Sequence, residues 1–315
     1  MTTTKRSPAW FMCFRKRYGE KLEPVMMPKV LHQSEEMILT TARIECSLAD
    51  GSQSTGTGLF FQFPRPNDLV IQMLITNKHV IEDSVSLMLR INTRTADGES
   101  DPKDRIELNV DAKAKDWVLH PDASVDLAAL PIAPILSLFD KAGRQPNFIT
   151  TSPAMIPNAA ETAEFGAIEN VVVVGYPIGL WDSTNNLPIV RSGITATHPA
   201  VDFLGRQEFL VDAACFVGSS GSPVFLYNPH GWLSRSGVRH LDQSQVRLLG
   251  IVYAVARHTE KGEIRMEKAP TKINLVAETE VPTNTAYVIK ASRLLEFDAV
   301  FREMEAKIAA SSERA

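Results

Sequence analysis

Short apolar segments separated by polar turns run through the first part of the chain. Residues 42–48 alternate between apolar and polar side chains, as a half-buried strand does, and the apolar segment 69–76 predicts a fully buried strand. Further strands are predicted at 56–61, 85–91, 106–110, 114–119 and 127–132. Many short strands joined by turns indicate a barrel or a sandwich rather than alternating strands and helices.

A second set of predicted strands follows a proline-containing connector at 136–165. These strands cover 171–174, 187–190, 208–214, 223–227, 246–255 and 285–289. Two long polar stretches, 228–245 and 257–282, interrupt this set and are predicted to be functional or mobile loops. Apolar residues then recur at spacings of three and four, which predicts an amphipathic C-terminal helix packed on the second half: Leu294, Phe297, Phe301, Met304 and Ile308.

The same pattern predicts how the chain is divided. Residues 1–35 lack clear periodicity and contain three prolines, so we interpret them as an N-terminal extension. One folded domain is expected over 36–300, followed by a helix and tail over 291–315. Within this domain we expect a first half at about 36–135, the connector at 136–165 and a second half at about 166–290.

The composition excludes several classes of function. The chain has 315 residues, of which 44% are hydrophobic and 22% charged, which is typical of a soluble globular protein. A formal net charge of −4 and the lack of a long basic segment give no electrostatic support for nucleic-acid binding. No apolar segment approaches the roughly 20 residues of a membrane helix. We therefore expect neither nucleic acid nor membrane as a partner; the oligomeric state is left open.

The cysteines and the N-terminus indicate the compartment. Three cysteines, an odd and sparse set, form no disulfide framework and no metal-ligand spacing, which fits a reducing cytoplasm. The short apolar patch at 8–14 is followed at once by Arg15-Lys16-Arg17, without the cleavage site of a secretory signal. The sequence thus predicts a cytoplasmic protein whose cysteines form no metal site.

A glycine- and serine-rich turn at 216–225 is the most informative local feature. Gly218 and Gly221 allow backbone angles that a side chain disfavours, so a serine between them can be exposed while neighbouring N–H groups converge on one point. A nucleophilic serine needs this arrangement, since an oxyanion forms when it attacks a carbonyl. The alternative is an ordinary turn in a β-protein, because Gly and Ser are common in turns.

Two other glycine pairs do not predict nucleotide binding. Residues 171–179 end an apolar strand in Gly-Tyr-Pro-Ile-Gly, but they lack a third glycine and any following Gly-Lys-Ser/Thr. The Gly56-Thr57-Gly58 segment has Phe61 where the dinucleotide fingerprint requires Gly or Ala.

A nucleophilic serine needs a histidine base and an orienting carboxylate. His79 is the best-placed histidine, because it follows the apolar strand 69–76 at a position where the rim of a barrel is expected; alone, it could be a surface or capping histidine. Asp126 begins the apolar segment 127–132 and should be partly buried, where an imidazole N–H is a suitable partner. Asp122 is the competing carboxylate.

Three motifs occur in a characteristic order: Thr76-Asn77-Lys78-His79-Val80, Asp126-Leu127-Ala128 and Gly218-Ser219-Ser220-Gly221-Ser222-Pro223. With them the chain resembles the trypsin-like (chymotrypsin-fold) serine peptidases of the disulfide-free bacterial type, related to the high-temperature-requirement proteases but without a PDZ domain. The order His, Asp, Ser is that of the chymotrypsin group. Weaker similarities cover further segments: 56–58, 175–177, 249–252 and 284–289.

The resemblance implies an all-β fold of two six-stranded antiparallel β-barrels with a C-terminal α-helix. It implies a catalytic triad of His79, Asp126 and Ser220, and an oxyanion hole formed by the backbone N–H groups of Gly218 and Ser220. Two departures are notable: Ser222 replaces a commoner glycine, and Ser219 replaces the aspartate that pairs with a new N-terminus in secreted zymogens. Activation through that ion pair is not expected.

The resemblance also locates the primary specificity pocket. One group of its residues lies just before the serine (Ala214, Cys215 and Phe216), and the other lies in the strand 246–255 (Tyr253, Ala254 and Val255). No charge stands six residues before the serine, so cleavage after a small or medium apolar residue is expected; Asp212 would change this if its side chain reached the pocket floor. The expected function is a serine endopeptidase acting on a dedicated protein partner or on unfolded protein. The alternative is a catalytically silent trypsin-like binding module.

Overall fold

The computed structural model describes residues 32–95, 100–112, 117–177, 180–216, 218–264 and 275–312. Residues 1–31 of the predicted extension lie outside this part of the chain, so the role of the extension stays a prediction. The domain boundaries stay predictions as well.

The first half of the described chain forms one antiparallel sheet of seven strands in the order β5-β4-β1-β2-β3-β7-β6. The strands are β1 (Thr41–Leu48), β2 (Gln53–Pro64), β3 (Val70–Thr76), β4 (Ser84–Arg94), β5 (Ser100–Asp111), β6 (Val118–Leu119) and β7 (Ala128–Pro131). A closed six-stranded barrel was expected here. To close this sheet, its two edge strands β5 and β6 would have to pair with each other. Among the described residues β5 pairs with β4, and the two-residue β6 pairs with β7, so closure of this half is not observed.

The second half confirms the expected six-stranded barrel. Its strands close in the order β10-β15-β14-β11-β8-β9, and a separate hairpin joins β12 to β13. The bounds are β8 (Asn170–Gly175), β9 (Ile189–Thr195), β10 (Glu208–Ala213), β11 (Pro223–Asn228), β12 (Gly231–Leu233), β13 (Arg239–Leu241), β14 (Gln245–Ile264) and β15 (Leu275–Lys290). The hairpin lies within 228–245, which the sequence predicts as a loop, and Trp232 stacks on His240 there at 4.3 Å between ring centroids.

The predicted loop at 257–282 is also partly wrong. β14 and β15 continue as an antiparallel pair from Gly250↔Lys290 out to Ile264↔Leu275. The described part of this stretch is therefore a two-stranded ribbon that projects from the barrel. Pairing the two strands satisfies backbone N–H and C=O groups that an open loop would leave to water.

Five helices connect or cover the described strands: α1 (Gln33–Ile38), α2 (Lys78–Glu82), α3 (Ala133–Lys141), α4 (Ala159–Ala163) and α5 (Phe297–Ser312). The C-terminal helix α5 is confirmed, but it does not pack on the second half alone. Phe301 contacts Phe63 of β2 at 5.0 Å between ring centroids, and Asp298 accepts a 2.5 Å hydrogen bond from Arg65. Its apolar face thus covers the junction of the two halves.

One hydrophobic core joins the two halves. It includes Phe61 and Ile75 from the first sheet, Phe225 and Ile251 from the barrel, and Phe297 from α5, all of them fully buried. Because this core is continuous, it holds the end of β3 and the start of β11 at a fixed separation. The candidate site lies between these two points. No described helix is long and apolar enough to cross a membrane.

Candidate active site

The segment between β10 and β11 turns sharply at two glycines. Gly218 and Gly221 have φ angles of 89° and 85°, in the left-handed region that residues with a Cβ disfavour. At position 221 a Cβ would also lie 1.8 Å from the carbonyl oxygen of Thr57. These two positions leave Ser220 partly exposed, while the neighbouring Ser219 is buried.

His79 reaches this serine from the first half. It lies in the short helix α2, which begins directly after β3 with Asn77 as the preceding residue. Its Nε2 is 2.9 Å from the Oγ of Ser220, and its Nδ1 is 2.5 Å from an Oδ of Asp126. With a proton on Nδ1 donated to the carboxylate, Nε2 accepts the hydrogen bond from the serine hydroxyl.

Asp126 is held by more than the imidazole. Its other carboxylate oxygen accepts a 3.1 Å hydrogen bond from the backbone N–H of His79, and its own carbonyl accepts one of 2.7 Å from the Asn77 amide. Partial burial raises the pKa of Asp126, but the hydrogen bonds and charge of His79 outweigh burial, so the pKa lies below its ordinary value. The carboxylate therefore stays ionised and orients the ring.

Asp122, the competing carboxylate, has other partners. It pairs with Arg293 at 2.6 Å and accepts hydrogen bonds from the backbone and hydroxyl of Ser124. The Ser124 hydrogen bonds, with the help of Arg293, lower the pKa of this exposed group to about 2. Its contacts fix the 122–124 turn to the segment before α5, away from the imidazole.

The backbone N–H groups around the serine differ in whether they have an acceptor. Within the part of the chain that the structure describes, the N–H groups of Gly218 and Ser220 donate to no acceptor. The carbonyl of Ser220 is held by the N–H of Thr57 at 2.8 Å, and the N–H of Gly221 donates to Val252 at 2.8 Å. The loop is thus fastened on both sides, while these two N–H groups have no acceptor among the described residues.

The predicted pocket residues come from two neighbouring segments. Cys215 is buried, and the other five are partly buried: Ala214, Phe216, Tyr253, Ala254 and Val255. Val252 bonds to Gly221 and Ser222, so 253–255 continue β14 beyond the serine loop. Asp212 is exposed on β10, and its inward-facing neighbours are Val211 and Ala213, so its carboxylate faces away from these segments.

Tyr253 occupies a β-bulge. The register of β14 against β15 shifts between Val252 and Ala254, which leaves Tyr253 as the extra residue. Bulges reorient side chains and carbonyls next to active sites. Here the carbonyl of Tyr253 lies 3.5 Å from the Oγ of Ser220, and its phenol donates a 2.9 Å hydrogen bond to Glu208.

Sequence reasoning missed two residues that contact the serine loop. In the sequence Thr57 is only part of a glycine-flanked strand, yet in the structure it is fully buried and hydrogen-bonded to Ser220 and Ser222. Arg191 on β9 places its guanidinium 5.2 Å from the ring centroid of Phe216. A lone threonine or arginine in a strand carries no local signal of such a contact.

Among the described residues, no group of three or more His, Cys, Asp or Glu side chains could hold a metal ion. The described cysteines, Cys46 and Cys215, are both buried and form no disulfide.

Comparison with known proteins identifies similarity to one family. The profile of the trypsin-like peptidase domain matches residues 56–231, and a search of curated proteins finds no match. Similar solved structures include the HtrA-type protease AlgW with a tripeptide, at 17% identity and a TM-score of 0.42, with 83% of this chain and 60% of that chain covered.

Two further structures are similar at the same level. The serine endoprotease from Yersinia pestis has 17% identity and a TM-score of 0.38, with 72% of this chain and 60% of that chain covered. An inactive serine-to-alanine mutant of Rv3671c from M. tuberculosis H37Rv has 15% identity and a TM-score of 0.37, with coverage of 88% and 89%. The chain thus spans less than two thirds of the length of the first two of these proteins.

Proposed function

Because the chain belongs to the trypsin-like peptidase family, we propose that it is a serine endopeptidase with Ser220 as nucleophile, His79 as general base and Asp126 as orienting carboxylate. The observation that carries this proposal is the continuous hydrogen-bond chain from Asp126 through His79 to Ser220, with distances of 2.5 and 2.9 Å. These three side chains come from separate parts of the sequence, so their contact is formed only in the folded chain.

The proposed reaction is acyl transfer. The Oγ of Ser220 forms a bond to the peptide carbonyl carbon, its proton passes to Nε2 of His79, and the carbonyl electrons move to the oxygen. The C–N bond then breaks as His79 gives its proton to the leaving amine, which leaves an ester on Ser220. Water, deprotonated by His79, hydrolyses the ester to a carboxylate and restores the serine. Asp126 holds the imidazole in the required tautomer and stabilises the imidazolium.

The transient oxyanion would be bound by the N–H groups of Gly218 and Ser220, which lack acceptors among the described residues. Each such donor contributes about 10²–10³ to the rate of acyl transfer in a serine peptidase. No metal or organic cofactor takes part in the proposed steps.

Family membership implies a protein or peptide substrate, and the finer specificity is part of the proposal. We infer cleavage after a small or medium apolar residue, because Ala214 stands six residues before the serine and Asp212 is exposed on β10. The natural substrate would be a dedicated protein partner or unfolded protein. A bacterial, cytoplasmic setting stays a prediction that rests on the motifs and on the sparse cysteines.

Labelling with a fluorophosphonate probe tests the nucleophile, because this reagent modifies activated serines. We expect the wild-type protein to be labelled at Ser220 and the Ser220→Ala variant to remain unlabelled while melting at the same temperature. The matched control is Ser236→Ala. Ser236 is an exposed serine whose hydroxyl bonds to Ser234 and Glu164 rather than to His79. Equal labelling of wild type and Ser220→Ala would mean that another serine is the reactive one and would contradict the proposal. No labelling of either protein under any condition would favour the catalytically silent binding module, or an enzyme that is latent until a partner binds.

A further inference from the structure

Phe216 and Ser219, both shortly before Ser220, are joined by two hydrogen bonds. The N–H of Phe216 donates to the Oγ of Ser219 at 3.2 Å, and the N–H of Ser219 donates back to the carbonyl of Phe216 at 3.0 Å. A further bond of 3.0 Å runs from the N–H of Ser222 to the carbonyl of Ser219. Ser219 is therefore bonded to Phe216 before it and to Ser222 after it, next to Gly218, whose conformation glycine alone does not restrict.

The side chain of Phe216 is held from outside the turn. Arg191, on the neighbouring strand β9, places its guanidinium 5.2 Å from the Phe216 ring centroid, within the range of a cation–π contact. Burial raises the pKa of the adjacent Cys215 to about 11, and the positive charge of Arg191 opposes that rise. The charge thus acts directly on the segment before the serine.

Arg191 has no stronger partner in the described chain. Its Nε is buried without a hydrogen-bond partner, and no ion pair to it occurs among the described residues. Burying part of a guanidinium without a carboxylate is costly, so the contact with the aromatic face is the interaction that compensates for it.

We propose that Arg191 and Ser219 are positioning residues, which hold Phe216 next to Ser219 so that the N–H groups of Gly218 and Ser220 stay available to an oxyanion. Arg191 fixes the ring of Phe216, and Ser219 fixes its backbone. This inference rests on the proposed function, because it assigns these two residues a role in the same reaction.

Steady-state kinetics on an apolar peptide substrate test the role of Arg191 through the variants Arg191→Met and Arg191→Lys. We expect Arg191→Met to lower kcat about tenfold, a loss within the range of a cation–π contact, with KM unchanged. The affinity for a peptide aldehyde, which forms a tetrahedral adduct on the serine, should fall in parallel with kcat/KM. Arg191→Lys keeps a cation and should recover most of the loss. Arg239→Met, at an exposed arginine on β13, is the matched control and should behave as wild type.

Amide hydrogen exchange over 216–222 tests the same idea without relying on activity. Arg191→Met and Ser219→Ala should both exchange faster than wild type in this segment, and Arg239→Met should not. Unchanged exchange in both variants would overturn the positioning role whatever the catalytic result. A change in the preferred residue at the cleaved position, with kcat retained, would also overturn it and make Arg191 a specificity residue. Failure of the proposed function itself is distinct, since wild type would then resist the fluorophosphonate.

Discussion

The backbone N–H of Thr57 donates a 2.8 Å hydrogen bond to the carbonyl of Ser220, and so joins the first sheet to the serine loop of the barrel. The Thr57 hydroxyl continues this junction: it lies 3.1 Å from the Ser222 hydroxyl and accepts from the N–H of Tyr176 at 3.2 Å. Its carbonyl accepts from Thr76 at the end of β3. One buried threonine thus ties together the two halves that supply the candidate triad.

Replacing this hydroxyl should weaken the junction. Thr57→Val keeps the shape but leaves the buried N–H of Tyr176 without its acceptor, and an unsatisfied buried donor costs about 1–3 kcal/mol. We expect this loss in the free energy of unfolding by urea, together with a lower kcat. The control Thr55→Val, at a partly exposed site on the same strand, should lose little. Equal effects from the two variants would refute the special role of Thr57.

Two neighbouring carboxylates should differ sharply in their effect on catalysis. Asp126→Asn removes the acceptor that fixes the imidazole tautomer, and we expect kcat to fall about 10³–10⁴-fold, as such a change does in serine peptidases. Asp122→Asn breaks only a surface contact with Arg293 and Ser124, so kcat should stay near the wild-type value. Comparable losses in both variants would contradict the assignment.

The Tyr253 bulge should affect substrate binding more than folding. Burial, then the hydrogen bond to Glu208, raises the pKa of Tyr253, so the phenol keeps its proton and donates. Tyr253→Phe removes this bond and loosens the strand that carries the proposed pocket residues.

For Tyr253→Phe we expect KM to rise several-fold, while the free energy of unfolding falls by about 1 kcal/mol. Tyr287→Phe removes a hydroxyl from a ring 6.0 Å away and serves as the control. If both variants raise KM equally, the Glu208 contact has no particular role.

Glu36 should make the protein less stable at higher pH. Burial, with a smaller contribution from the charge of Glu35, raises the pKa of its half-buried carboxyl to about 7. The folded state therefore binds this proton more tightly than the unfolded state, whose carboxyl has a pKa of about 4.3. The stabilisation is complete below that pKa and is lost as the pH rises through about 7.

Glu36→Gln removes this titration. We expect it to raise the free energy of unfolding at pH 8 by about 1 kcal/mol, a figure reduced for partial exposure, and to change it little at pH 4. Thermal melts at the two pH values measure the difference, with the exposed Glu82→Gln as the control. A gain of the same size at both pH values would mean that Glu36 does not titrate as described.

Local patterns predicted more of the strands than of their assembly. Alternation and apolar segments located most strands of both halves because side-chain periodicity is a property of neighbouring residues. The local pattern predicts a loop where β14 and β15 form a ribbon, because a charged stretch gives no sign of a pairing that depends on the opposite strand. The closed first barrel was expected from family resemblance, whereas the described strands form a seven-stranded sheet with β5 and the two-residue β6 at its edges.

The sequence by itself determined the residue types of the site and their order, because a serine flanked by glycines, a histidine after a buried strand and an aspartate before another are local signals. Only the tertiary structure decided that Asp126 rather than Asp122 meets His79, and that Thr57 and Arg191 contact the serine loop. These contacts join residues far apart in the chain. They exist because a hydrophobic core shared by both halves fixes how the halves pack against each other, and no single segment of the sequence specifies that packing.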